Sequence, residues 1–416
     1  MSRTARIATS LLAIVAIGTI GVLVAAGATG GAPAAVTTAC GPATLATYDS
    51  TALSAVLRIA KGERNGHGVR RALHAIETNP ALLSAVAAGD PSAVQSAVYA
   101  LVYNHMHIVR LRVVSAGRVL GELGGPHVLA PVRGTLRSGG RVIGSFTMSI
   151  QDDLGYELLI ARLVGEHSVM TYNGQVVERD IAVDPATLPA SGGTARVHGA
   201  LYLVDSFYVG RFPTGRLRVW LLVRAPPASL SKQPCAQVRA DEEAAIARFD
   251  YGRASTGSAI QFALDTLIKD RELPLALAAG DYATASMLVT ALVTKGPGFG
   301  GLRVMVGGHL VAAADGTRPL ISPVRAAITD AAGAVVAQAV LSVQSARGYV
   351  ALVHSLTGAP LLVRSGSVQL DGTFPGPAVL PNSGRVSYRG VYYRVASFAG
   401  ARYPSGPLRV YLLVAG

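Results

Sequence analysis

Six consecutive residues, Gln151-Asp152-Asp153-Leu154-Gly155-Tyr156, gather an amide, two carboxylates and a phenol where the hydrophobic pattern passes from strand to helix. Two chemistries fit. Either aspartate caps the incoming helix by accepting from its unpaired N–H groups, or Ser149, Gln151 and Tyr156 line a pocket in which the carboxylates hold a ligand amine. Ser342, Gln344 and Tyr349 repeat three of these residues later in the chain, with Ser345 and Ala346 in place of the aspartates. Arg133 and Arg325, each in Pro-Val-Arg, are either paired-donor forks for a carboxylate or exposed strand-edge charges. Tyr202 and Tyr393 stand at matching places on a late strand, as ligand partners or as ordinary half-buried tyrosines. Asp205 occurs only in the first of the two contexts.

Catalytic signatures are missing from the sequence. It holds no G-x-S-x-G, H-E-x-x-H or P-loop, and its nine histidines are scattered without a fixed partner. Gly296-Pro-Gly298-Phe-Gly300-Gly301 satisfies G-x-G-x-x-G, but it follows a helix and precedes a strand, the reverse of a dinucleotide site. Ser229-Leu-Ser-Lys232 matches S-x-x-K without its supporting elements. The expectation is a protein that is not an enzyme and needs no cofactor.

The chain has 416 residues, half of them apolar and 15% charged, with a formal net charge of +13. That is too apolar for a disordered chain and long enough for two or three domains with cores of their own. The positive charge comes mainly from arginines dispersed among acidic residues, with neither a basic block nor interleaved aromatics, so nucleic acid is not an expected partner. A positive surface favours anionic small molecules or an anionic envelope polymer.

Two arginines precede an uncharged run from Ile7 to Ala28, which marks residues 1–30 as a signal peptide or a signal anchor and places the rest outside the cytoplasm. Ala-Gly-Ala and Ala-Pro-Ala offer cleavage sites, and the run is also long enough to span, so the membrane is reached through this segment alone. In such a compartment Cys40 and Cys235 read first as a disulfide, the alternatives being separate thiols or an intermolecular link. No second Cys or His stands at metal-ligand spacing beside either.

The chain is written twice. Residues 211–223, RFPTGRLRVWLLV, and 402–414, RYPSGPLRVYLLV, agree at nine of thirteen positions. LLSAVAAGD pairs with LPLALAAGD, LAPVRG with ISPVRA, and SIQDDLGY with SVQSARGY. The reading is a first domain at 40–224, a stiff proline-rich linker at 225–234 and a second domain at 235–416. Each opens helical. Gly89-Asp90-Pro91 ends one helix and caps the next, after which Val94, Ala97, Val98, Leu101 and Val102 recur at helical spacing. The period then becomes two, with Phe146, Met148 and Ile150 on one sheet face and Thr147, Ser149 and Gln151 on the other. Short helices near 154–163 and 347–356 interrupt the strands.

This order, carried by VRLRVVSAGRVL, APVRGTLRSGGRVIGSFTMSIQDDLGY and FPTGRLRVWLLV in the first copy, resembles the Cache family of extracytoplasmic sensor domains. The resemblance covers nearly all of the exported chain. It implies an α+β fold of two tandem domains, each an N-terminal helical segment packed on a PAS-like antiparallel sheet. It also implies a non-enzymatic sensory role, binding a small anionic or zwitterionic metabolite and reporting it to a membrane-embedded or envelope protein. With no output domain after the last strand, direct transmembrane signalling by this chain alone is not expected. The alternative is a cell-envelope interaction or scaffold protein without a pocket, and the discriminating feature is whether the Thr147/Ser149/Gln151 face opens to a cavity.

Overall fold

The Gly-Asp step does what its residue types require. Gly89 ends a helix in the left-handed region, at φ 66°, and the Asp90 carboxylate accepts from the amides of Ser92 and Ala93 to start the next. Gly280 and Asp281 repeat this, the Asp281 carboxylate receiving both the amide and the hydroxyl of Thr284. A computed structural model describes residues 39–104, 108–295 and 298–416. Segment 1–30 and the first two residues of the Gly296–Gly301 motif lie outside the described residues.

The first half opens with α1 (Thr44–Asn65), α2 (His67–Glu77), α3 (Pro80–Ala88) and α4 (Pro91–Asn104). Strands β1 (Arg110–Ser115), β2 (Arg118–Gly124), β3 (Val128–Leu129), β4 (Val132–Ser138), β5 (Arg141–Ser149) and β6 (Gln151–Asp152) follow. After α5 (Asp153–Leu163) come β7 (His167–Tyr172), β8 (Gln175–Arg179), β9 (Gly193–Val197), β10 (Ala200–Gly210) and β11 (Arg216–Arg224). The second half repeats the order. Its helices are α6 (Cys235–Thr256), α7 (Ser258–Lys269), α8 (Glu272–Ala278) and α9 (Tyr282–Lys295). Its strands β12 (Gly301–Val306), β13 (His309–Asp315), β14 (Leu320–Ile321), β15 (Val324–Thr329), β16 (Val335–Ser342) and β17 (Gln344–Ser345) precede α10 (Ala346–Thr357). Strands β18 (Leu361–Ser365), β19 (Val368–Gly372), β20 (Ser383–Tyr388), β21 (Val391–Ala401) and β22 (Pro407–Ala415) end the chain.

The fold is α+β. In the first half an antiparallel sheet of order β2-β1-β5-β4 precedes a five-stranded sheet of order β8-β7-β11-β10-β9, and β3 pairs with β6 between them. The second half matches strand for strand: β13-β12-β16-β15, β14-β17 and β19-β18-β22-β21-β20. Each half therefore has a four-stranded and a five-stranded sheet with a two-stranded pairing besides, and α5 or α10 separates the strands of the first from those of the second.

Apolar periodicity decides what packs where. Val94, Ala97, Val98 and Leu101 of α4 meet Leu111, Val113, Phe146 and Met148 on the inner face of the first sheet. At about 25 cal/mol per Å2 of apolar surface removed from water, such a face is the main local source of stability. The opposite face is polar, where Arg110 and Arg112 both hold Glu122. In the second sheet of the first half, Met170, Leu203, Val219 and Leu221 pack under α1 and α5. Ile246 of α6 and Leu356 of α10 join this cluster, so the halves share core across their helices. The described residues accordingly belong to one compact unit.

The linker departs from the stiff extended form expected of its prolines. Ala228–Lys232 winds into a short 3-10 helix, and the next residue, Gln233, accepts the Cys40 amide at 2.7 Å. The segment is thereby folded against the start of the first half. Cys40 and Cys235 form a disulfide there, with Cα atoms 4.6 Å apart. Among the described residues no helix is long and apolar enough to cross a membrane.

Candidate functional site

The polar cluster at the strand-to-helix handover is mostly internal scaffolding. The Ser149 hydroxyl donates to the Leu129 carbonyl and accepts from the Gln151 amide, and both side chains are buried. The Gln151 side-chain amide donates to the Asp152 carbonyl. Asp152 is the N-cap of α5, its carboxylate accepting from Gly155 at 2.7 Å. In the second half Ser342 donates to Ile321, Gln344 donates to Ser345, and Ser345 caps α10 by accepting from Gly348. The exchange of Asp152 for Ser345 thus preserves one job, since both residue types cap helices. Asp153 accepts from Leu154, and burial raises its carboxyl pKa against that hydrogen bond and the nearby His127.

Tyr156 is different. Its ring is 2% exposed, and its hydroxyl is buried without a hydrogen-bond partner. Burial, and then the charge of Glu63, push the phenol well above its ordinary pKa, so it is a neutral donor. Beside it lies a cavity of about 240 Å3. Leu57 and Ala60 of α1, Leu129, Ala130 and Val209 supply its apolar wall, and Lys61 and Arg64 stand at its mouth. The spacing of α1 explains this arrangement: Ala52, Ala55, Val56 and Ile59 face the core, which turns 57, 60, 61 and 64 along its flank.

The mouth continues into a second recess that shares Arg64 and Asn65 and adds Arg133 and Arg211. Arg211 lies over the Tyr172 ring at 4.0 Å, and its buried Nε has no hydrogen-bond partner. Arg133 is exposed on β4 at this recess, whereas Arg325 is exposed on β15. Lys61 and Arg64 therefore border the half-apolar cavity, and Arg133 and Arg211 add two guanidinium groups in the adjoining recess, an arrangement suited to an anion with an apolar body.

Comparison with protein-family models gives no match, and comparison with curated proteins gives none. Among solved structures, the periplasmic domain of Vibrio cholerae LuxQ is 13% identical over 40% of this chain and 100% of its own, with a TM-score of 0.26. The ligand-binding domain of the Pseudomonas fluorescens chemoreceptor CtaA, in complex with L-alanine, is 14% identical over 42% and 93%, with a TM-score of 0.24. An extracellular ligand binding receptor from Desulfohalobium retbaense is 13% identical over 54% of this chain and 47% of its own, with a TM-score of 0.25. These neighbours are, by description, a periplasmic domain, a chemoreceptor ligand-binding domain and an extracellular ligand binding receptor.

The remaining candidates are dispersed. Tyr202 is buried on the other face of β10, edge-on to His167 and packed with Trp220. Tyr393 borders a separate recess with His354, Phe374 and Tyr388. Asp205 stands near Asp49, whose carboxyl is raised to about 6 by burial and then by the Asp205 charge. Glu166 and Glu242 belong to the same region, raised to about 8 and about 7, each mainly by burial. Among the described residues no three His, Cys, Asp or Glu side chains are grouped to hold a metal ion. Tyr349 donates its hydroxyl to Ala247 at 2.6 Å. The Thr147/Ser149/Gln151 face is not the cavity wall; the cavity lies between α1 and β10. Ala60, Lys61 and Arg64 were missed because a small residue and two cations on an exposed helix flank carry no local signature.

Proposed function

We propose that this protein is an extracytoplasmic, non-enzymatic binding protein built from two Cache-like copies, at 40–224 and 235–416, which takes up a small organic anion or zwitterion. The observation that carries the reading is the half-apolar cavity lined by Tyr156, Leu57, Ala60 and Val209, with Lys61 and Arg64 bordering it. The disulfide supports an oxidising compartment, as does the charge pattern of residues 1–30. Binding would shift the population of α1 positions against β10 and so alter a surface read by a membrane or envelope partner.

The test is a thermal-shift screen of the purified protein against carboxylates, amino acids and uncharged sugars, followed by titration calorimetry. Stabilisation by anionic or zwitterionic compounds, weakened in Lys61→Ala and in Arg64→Ala, is the expected result. A screen in which no such compound shifts the transition would sink the reading.

A further inference from the structure

The two halves treat the same space differently. Gly66 and Gly257 close the 22-residue helices α1 and α6, and counting back from them places Tyr251 opposite Ala60. The surroundings agree with that pairing. Tyr251 donates its hydroxyl to the Ala401 carbonyl at 2.8 Å and accepts the Ala401 amide at 2.7 Å. Its ring meets Tyr349 edge-on, and its carbonyl accepts from Ser322. In the repeat Ala401, Tyr349 and Ser322 stand for Gly210, Tyr156 and Ala130, three residues lining the first-half cavity. A Cβ on Gly400 would lie 2.7 Å from the Tyr251 hydroxyl, whereas the matching residue of the first half is Val209. Both cations at the mouth change as well, Lys61 to Gly252 and Arg64 to Ser255.

We infer that the cavity beside Tyr156 is a site of the first half alone, because the Tyr251 ring fills the corresponding space in the second, and that Ala60 is the residue that keeps the first-half site open. The ligand class this implies, an organic anion with an apolar body, rests on the function proposed above; the plug itself does not.

A thiol probe separates the two. Cys40 and Cys235 are bonded, so Ala130→Cys and Ser322→Cys each add one free thiol at matching wall positions, and their reaction with 2-sulfonatoethyl methanethiosulfonate is followed by mass spectrometry. The expected result is labelling of Ala130→Cys at least about tenfold faster than Ser322→Cys. Adding Ala60→Tyr, or the milder Ala60→Leu, should slow the first, and adding Tyr251→Ala should speed the second. Equal rates in the two single variants, or no effect of Ala60→Tyr and Ala60→Leu, would overturn the inference. Hexanoate and phenylacetate should protect Ala130→Cys. If neither does while the rates obey the plug, the ligand class falls and the division between the halves stands.

Discussion

Tyr156 and Tyr349 occupy the same place in the two halves, yet only Tyr349 has a partner, its hydroxyl meeting the Ala247 carbonyl at 2.6 Å while that of Tyr156 is buried unpaired. Removing the two hydroxyls should therefore have opposite effects. Tyr349→Phe is expected to cost about 1 kcal/mol, and Tyr156→Phe to be neutral or stabilising in the absence of ligand. Urea unfolding of both variants checks this, and equal losses would contradict the difference in pairing.

Buried carboxyls between the halves make stability depend on pH. Asp49, Glu166, Glu242 and Asp250 are raised to about 6, 8, 7 and 7, in each case chiefly by burial. Because the folded values exceed the unfolded ones near 4, folding takes up protons between them. This contribution is full below about pH 4 and is lost as pH rises through 6 to 8. Unfolding free energy should thus fall by roughly a few kcal/mol from pH 5 to pH 8, and Glu242→Gln should flatten the slope. A flat profile in the parent protein would refute the linkage.

The caps of α5 and α10 should be interchangeable. Asp152→Ala and Ser345→Ala are each expected to cost about 1 kcal/mol, whereas Asp152→Ser should cost only a fraction of that. Thermal unfolding of the three variants measures the difference.

Gly134 and Phe146 face one another across β4 and β5, and a Cβ on Gly134 would lie 2.3 Å from the Phe146 ring. The second half pairs Ala326 with Ala339 at the same place, dividing the volume evenly. Gly134→Ala is expected to cost about 1–3 kcal/mol by overpacking. In Phe146→Ala that penalty should vanish, a coupling that a double-mutant cycle would detect.

The Cys40–Cys235 bond joins the entrance of the first half to the start of α6. Replacing both cysteines by serine should lower stability by about 2–5 kcal/mol. A reducing agent should lower the denaturant midpoint of the parent protein and leave that of the double variant unchanged.

Much of the architecture was legible in the residues, because it rests on local rules. Gly89-Asp90 and Gly280-Asp281 end and restart helices by backbone preference and capping, and Leu111, Phe146 and Met148 follow the period of a strand. The candidate site was legible only in part. Tyr156 stands at the cavity, and Arg133 borders the recess beside it. Ser149 and Gln151 recur in both copies because they clip strand to helix, and repetition by itself does not separate a fold requirement from a binding role.

The amino-acid order by itself determined the repeat, which is a match of one segment with another, and the α+β class and the caps, which depend on neighbours a few residues apart. Only the tertiary structure decided that α1 lies along β10 and the helices of the second half, that Ala60 leaves space where Tyr251 fills it, and that the Tyr156 hydroxyl has no partner. Those outcomes depend on volumes matched between segments far apart in the chain, and no local pattern encodes whether such a volume is filled.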